Sequence, residues 1–212
     1  MTLKSNNYVM NMKRLILSLC LAALANSVLH AQDLSSEDLN RAIKYLEKTR
    51  AGVVAATKGL SEAQWNFKAG PDRWSVAECT EHIAAAEDYL MGMIQEKVMK
   101  APARTETADL KEIDEFVLKN IPDRSKKVQA PEPLKPTNRF GSPKDSLKHF
   151  EESRAKTVAF LKNTKDLRQH AIDSPVGKKL DAYEWVLFLG AHSERHTKQI
   201  DEVKADPGFP KK

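Results

Sequence analysis

Apolar residues recur every three or four positions along four stretches of the chain, the spacing that places them on one face of a helix. The stretches cover about residues 36–58, 75–100, 143–161 and 182–205. No segment alternates apolar and polar residues over the length of a strand. This pattern predicts an all-α fold, in which four amphipathic helices bury their apolar faces in one four-helix bundle.

Three of the predicted helices begin at residues that can satisfy the free amide groups of a first helical turn. Ser75 with Glu78, and Asp181 with Glu184, have the spacing of a capping box. Ser142 precedes a proline, which is favoured at the first helical position because its missing amide hydrogen is not needed there. These signals predict where the second, third and fourth helices start.

A long connection separates the second and third predicted helices. It runs from 101 to 143, contains six prolines, and includes one amphipathic stretch at 110–120 that predicts a short helix. A long crossover connection of this kind lets the second and third helices run parallel. A shorter loop at 60–74 joins the first two helices and carries the chain-breaking sequence Gly-Pro-Asp at 70–72.

Residues 1–31 have the order of a secretory signal peptide. A Lys-Arg pair precedes an apolar run at 15–25, which is too short to span a bilayer, and small residues follow it. We predict cleavage after Ala31, with cleavage after Ala25 as the alternative. The protein is therefore expected to be exported to the periplasm or the outside of the cell.

The mature chain then consists of a bundle domain at 32–206 and a C-terminal tail at 207–212. It keeps one of the two cysteines, Cys79, and so has no internal disulfide. The net charge of +5 falls to +2 without the three basic residues of the signal segment, and the remaining charges alternate in sign. No basic block indicates nucleic-acid binding, and no stable membrane association is expected after signal cleavage.

Two histidines, His192 and His196, interrupt the apolar row of the fourth helix. A separation of four residues places both rings on one helix face, and neutral imidazole nitrogens are ligands of divalent metal ions. His82 can join them if helices two and four pack side by side. Three histidines would leave coordination positions open, as catalytic metal sites do. The alternative is that each histidine is a hydrogen-bonded core residue.

The sequence resembles the DinB-like family over about residues 36–203. The matching stretches are 74–83, with the sequence WSVAECTEHI, and 191–200, with the sequence AHSERHTKQI. In that family the first stretch ends in a metal-ligand histidine and the second supplies two more. The resemblance therefore implies a four-helix bundle in which the same three histidines hold one divalent ion, with nickel, zinc and iron among the family's metals.

Three functions follow from these observations and stay open at this stage. The first is a metal-dependent hydrolase acting on an unidentified small molecule, with a homodimer as one option for its assembly. The second is a non-catalytic metal-binding or stress-related bundle protein. The third is a thiol-dependent transferase, although an exported protein would not meet the thiols of the cytoplasm. No general base is evident, because capping explains Glu78, while Glu81 and Glu194 flank ligands and should face away.

Overall fold

The computed structural model describes residues 34–105 and 108–211, so the predicted signal peptide lies outside the described residues. Six α-helices, a π-helical segment at Ile94–Val98, a 3₁₀ turn and one short hairpin are the regular elements of this part of the chain. No described helix is long and apolar enough to cross a membrane. The elements are α1 (Ser36–Thr57), α2 (Glu62–Asn66), α3 (Val76–Met93), α4 (Leu110–Asn120), α5 (Pro143–Asn163), β1 (Ala171–Asp173), β2 (Lys179–Asp181) and α6 (Ala182–Lys204).

Helices α1, α3, α5 and α6 form the bundle, and α1 and α3 each pack against both α5 and α6. The predicted all-α class and four-helix bundle are confirmed. The amphipathic stretch at 110–120 forms α4, which packs against α6. A turn of 3₁₀-helix at Glu132–Leu134 lies farther along the same connection and contacts α3. The parallel course of the second and third bundle helices stays a prediction.

The predicted helix starts are formed by the side chains that the sequence indicates. Ser75 accepts a hydrogen bond from the amide of Glu78, and the Glu78 carboxylate accepts one from the Ser75 amide at 2.7 Å. Asp181 and Glu184 make the same reciprocal pair at the start of α6. Ser142 caps α5. Each box satisfies two amide groups that a helix start would otherwise leave unpaired, which fixes where α3 and α6 begin.

One apolar cluster holds α3 against α6 around the predicted metal ligands. Cys79 and Ile83 on α3 are buried in the same cluster as Ile200 on α6. His82 lies between the two α3 residues, and His196 lies one turn before Ile200. The packing of these apolar side chains therefore brings the histidine faces of the two helices together.

A buried ion pair lies at the centre of the bundle. Arg154 of α5 is 0% exposed and donates two hydrogen bonds to Glu87 of α3, at 2.7 and 2.9 Å. The same guanidinium donates to the Leu46 carbonyl and Thr49 hydroxyl of α1, and to the Ser193 hydroxyl of α6. One side chain thus contacts all three other helices of the bundle.

The structure contains two short elements that the sequence pattern did not indicate. The strands β1 and β2 pair antiparallel with Ala171 opposite Asp181, beside a fold that is otherwise helical. Three-residue strands are too short to display an alternating pattern, and the turn between them places Gly177 at a φ of 73°. The expected loop at 60–74 contains α2, a helix of five residues with its own capping box.

The residues after α6 pack onto the loop before α3. The ring of Phe209 meets Phe67 edge to face at a centroid distance of 5.5 Å. The Gln64 amide donates to the Pro210 carbonyl at 2.9 Å. The described part of the predicted tail at 207–212 is therefore held against α2.

Candidate metal site

The three predicted ligands meet between α3 and α6. His82 Nε2 lies 3.1 Å from His192 Nε2 and 3.1 Å from His196 Nε2. One ligand atom from each ring can be chosen so that all three lie within 4.8 Å of one another. The spacing of four residues on α6 and the packing of α3 beside it thus produce the predicted convergence of rings.

The three rings differ in their contact with solvent. His82 is 2% exposed and His196 is 8% exposed, whereas His192 is only half-buried. The site is therefore closed on the side of α3 and reaches solvent beside His192. Any further ligand of a bound ion would approach from that side.

The orientation of His82 is set by the backbone of the long connection. Its Nδ1 lies 2.8 Å from the carbonyl oxygen of Leu134, at the end of the 3₁₀ turn. A carbonyl can only accept, so a neutral His82 carries its proton on Nδ1. The other nitrogen, Nε2, then presents a lone pair to the two histidines of α6.

The orientation of His196 is set in the same way by a side chain. Its Nδ1 lies 2.8 Å from the Oε1 atom of Gln199, one turn along α6. Arg124 Nη1 donates to the same oxygen at 3.2 Å, and a guanidinium has no acceptor, so the oxygen of this amide is the atom that faces both groups. His196 therefore donates from Nδ1, and its Nε2 also presents a lone pair.

Burial keeps all three rings neutral. It lowers the pKa of His82, and it lowers the pKa values of His192 and His196 well below their usual range. The neighbouring rings add to this effect, because a positive charge on His82 opposes one on His192. Neutral imidazole is the form that binds metal ions, so the site is in its ligand form at neutral pH.

The convergence of lone pairs suits a cation. His82 Nε2 and His196 Nε2 face each other at 3.1 Å, yet the outer hydrogen bond of each ring places its proton on Nδ1. Two lone pairs at this distance repel unless a positive charge lies between them. The donor set and its spacing therefore fit a metal ion held by the three Nε2 atoms.

The distances also agree with metal coordination. Two imidazole nitrogens that each bind one ion at about 2.05 Å would lie about 2.9–3.4 Å apart, and both separations from His82 Nε2, at 3.1 Å, fall in this range. Imidazole nitrogens suit several divalent ions, with nickel, zinc and iron among them.

The loop at 60–74 and the connection at 101–143 both border the site. The indole of Trp74, the last residue of that loop, lies 4.8 Å from the His82 ring and 6.1 Å from the His196 ring, measured between centroids. Leu134 of the connection contacts His82 from the other direction. These contacts shield the buried rings from water on two sides.

The carboxylates beside the ligands are engaged elsewhere, as the sequence predicts. Glu78 caps α3 and pairs with Lys68 at 2.9 Å. Glu81 accepts hydrogen bonds from three consecutive backbone amides at 137–139. Glu194 accepts from the Tyr45 hydroxyl at 3.0 Å. These three carboxylates therefore hold the fold together instead of supplying further ligands.

Other side chains with metal-binding or nucleophilic potential lie outside the cluster. His149 contacts Asp88 at 2.6 Å, and His170 contacts the Ala101 carbonyl at 2.6 Å. Cys79 is fully buried one turn before His82, and burial raises the pKa of its thiol, which keeps it protonated. Cys79 therefore serves as a small core residue.

Sequence reasoning missed the groups that orient the ligands. Gln199 lies in the quoted motif, but its spacing alone gives no indication of which atom it turns toward His196. Arg124 and the Leu134 carbonyl come from the irregular connection. Along the chain, Arg124 is 72 residues from His196, and Leu134 is 52 residues from His82. A backbone carbonyl leaves no signature in a sequence, so that partner could not have been found by pattern.

Comparisons with known proteins agree with this fold. A sequence model of the DinB superfamily matches residues 45–200, a range that includes all three histidines. The uncharacterized protein YuaE of Bacillus subtilis (strain 168) is 30% identical over 148 residues, which are 69% of this chain and 87% of YuaE.

A solved structure supports the fold. YfiT from Bacillus subtilis, described as a probable metal-dependent hydrolase with an unusual four-helix bundle topology, matches with a TM-score of 0.54 at 15% identity. The match covers 84% of this chain and 91% of YfiT. At this identity the likeness concerns the fold. With the family match over most of the chain, it leads to one conclusion: this protein belongs to the DinB superfamily.

Proposed function

We propose that this protein is a metal-dependent hydrolase whose divalent ion is held by His82, His192 and His196. The observation that carries the proposal is the meeting of three neutral Nε2 atoms, two of them with lone pairs fixed by outer hydrogen bonds. The fold likeness to YfiT, described as a probable metal-dependent hydrolase, supports the same class of activity. A bound ion of this kind supplies Lewis acidity and a water of lowered pKa.

The residues of the chain supply the remaining requirements of such a site. The rings of His82 and His196 bind from the buried side, and Trp74 excludes water from their faces. Because His192 is only half-buried, we propose that a small-molecule substrate reaches the ion beside this ring. Because the nearby carboxylates are already paired, we propose that hydrolysis here proceeds without a carboxylate base.

Two alternatives are disfavoured by particular observations. A thiol-dependent transferase would need a low-molecular-weight thiol as its co-substrate, and the proposed export of the chain would separate it from the thiols of the cytoplasm. A purely structural ion would be enclosed by four protein ligands, whereas three histidines and an exposed edge leave positions open.

Metal content and hydrolysis, measured together, test the proposal. The full chain, purified without a polyhistidine tag, should contain close to one divalent ion and should hydrolyse at least one of a panel of carboxylic esters, amides and phosphate esters. His192→Ala should lose both the ion and the activity. His149→Ala is the matched control, because it removes a histidine outside the cluster, and it should retain both.

The outcomes separate the functions. A stoichiometric ion without turnover of any carboxylic ester, amide or phosphate ester of the panel contradicts the hydrolase and supports the metal-binding alternative. Turnover that depends on an added thiol contradicts the hydrolase and supports the transferase. Equal metal content in the two histidine variants contradicts the assigned ligand set.

A further inference from the structure

A chain of polar contacts leads from a predicted metal ligand to the long connection. His196 Nδ1 contacts Gln199 Oε1, and Arg124 Nη1 donates to that same oxygen. Glu202 holds Arg124 from the other side, accepting from its Nε and its Nη2, both at 2.7 Å. With those two nitrogens fixed by a carboxylate, Nη1 is the guanidinium nitrogen that is directed at Gln199.

The amide of Gln199 can turn either of two different atoms toward His196. With its oxygen facing the ring, it accepts the proton of Nδ1 and leaves Nε2 with a lone pair. With its NH₂ group facing the ring, it donates to Nδ1, and the neutral ring must then carry its proton on Nε2. In that second state the nitrogen that faces His82 and His192 cannot bind a metal ion.

We propose that Arg124 is a positioning residue that selects the metal-binding tautomer of His196 by acting through Gln199. A guanidinium only donates, so it pairs with the amide oxygen and repels the NH₂ group, which fixes the amide in the first state. This inference rests on the proposed metal site. It assigns to the connection a role that neither the histidine motif nor the family match describes.

The sign of the expected effect separates this role from simple electrostatics. Removing a positive charge from the neighbourhood of a cation should strengthen metal binding if Arg124 acts only through its charge. If Arg124 acts by holding the Gln199 amide in one orientation, which is called the amide lock below, its loss should weaken metal binding. Partners that orient metal-ligating histidines typically contribute about 10–100-fold to affinity. Arg124→Met should therefore raise the dissociation constant for Zn²⁺ or Co²⁺ by about tenfold or more.

Two further variants form the controls. Arg73→Met removes another guanidinium near the same Glu202, at 4.0 Å, without touching Gln199, and it should leave the affinity unchanged or slightly increased. Gln199→Glu replaces the amide with a carboxylate, which has no NH₂ group and accepts from His196 whether or not Arg124 is present. In the Gln199→Glu background, Arg124→Met should change the affinity by less than about threefold, because the lock is no longer needed.

A readout in the metal-free protein tests the tautomer directly. Nitrogen-15 NMR of the imidazole rings should show the His196 proton on Nδ1 in the wild type. In Arg124→Met about nine tenths of the rings should carry the proton on Nε2, the share that a tenfold loss of affinity requires, while circular dichroism shows an unchanged fold. Rescue by Gln199→Glu should restore the Nδ1 form.

The results distinguish this inference from the function on which it rests. A wild-type protein that binds no divalent ion contradicts the proposed function, and the NMR measurement still tests the lock. A wild-type protein that binds metal, together with an Arg124→Met variant of unchanged tautomer and equal or tighter affinity, overturns the role of Arg124 alone. An equal loss in both Gln199 backgrounds overturns it as well, since it would mean that Arg124 acts on the fold.

Discussion

Replacing Arg154 by methionine tests whether the ion pair at the centre of the bundle determines its stability. Arg154 and Glu87 are 0% and 1% exposed, and the pair makes two direct hydrogen bonds. Methionine has a side chain of similar length. Among the hydrogen bonds that Glu87 accepts from side chains of the described residues, only the one from the Thr157 hydroxyl, at 2.8 Å, would then remain. The perturbation therefore isolates one buried carboxylate.

The magnitude follows from the charge that is left behind. A buried carboxylate without a cation takes up a proton instead of remaining charged. Starting from the reference pKa of glutamate, about 4.3, neutralising the group costs about 3.7 kcal/mol at pH 7 and about 1 kcal/mol at pH 5. The Leu46 carbonyl keeps a hydrogen bond from Thr49, and Ser193 keeps its bond to Leu189, so these groups add little.

Arg154→Met should thus lower the free energy of unfolding by about 4 kcal/mol at pH 7, in line with other broken buried pairs. For a domain of this size the loss corresponds to a fall in Tm of roughly 8–16 °C. The penalty relative to wild type should shrink by about 2–3 kcal/mol between pH 7 and pH 5.

Urea unfolding followed by circular dichroism at both pH values measures this difference. Arg154→Met with Glu87→Leu is the matched control, because it removes both charges and should recover most of the stability at either pH. A single variant that loses less than about 1 kcal/mol at pH 7, or that loses the same amount at both pH values, would refute the reasoning. Glu87 would then be reached by water or paired in another way.

Two other predictions concern α6. Burial raises the pKa of Glu184 to about 8, so the folded state binds this proton more tightly than the unfolded chain does. The resulting contribution to stability is fully present below about pH 4.5 and is lost as the pH rises through about 8. Glu184→Gln keeps the capping box with Asp181, but its free energy of unfolding should not show this decrease between pH 4.5 and 8. Urea unfolding at several pH values measures the decrease, and parallel pH profiles for wild type and variant would contradict the prediction. Gly190→Ala should lower the Tm by about 2–6 °C, because a Cβ would lie 3.0 Å from the Tyr45 ring and the cost of overpacking exceeds the gain in helix propensity. Differential scanning calorimetry measures the Tm, and a rise would refute this prediction.

The features that the sequence predicts are those encoded locally. A capping box needs two residues three apart, so Ser75 with Glu78 and Asp181 with Glu184 indicate helix starts that the structure confirms. The pair His192 and His196 likewise shares a face because of helix geometry alone. The approach of His82 from the other helix was conditional on side-by-side packing, which no local pattern encodes, and only the family resemblance implied it.

The features that the sequence misses depend on contacts between distant segments or on short elements. Arg154 lies within the third amphipathic stretch, but its partner Glu87 is 67 residues away and on another helix. Arg124 contacts Gln199 across 75 residues, from a connection without regular periodicity. The strands β1 and β2 have three residues each, which is too few for an alternating pattern to be recognised.

X-ray absorption spectroscopy of the metal-loaded protein tests the central claim most directly, because it reports the atoms that surround the ion. The account predicts one divalent ion per chain with three imidazole nitrogens at about 2.0–2.1 Å. In the His82→Ala variant the spectrum should show two imidazoles or the ion should be lost. An ion surrounded by oxygen ligands alone, or an imidazole signal that persists unchanged without His82, would contradict the account.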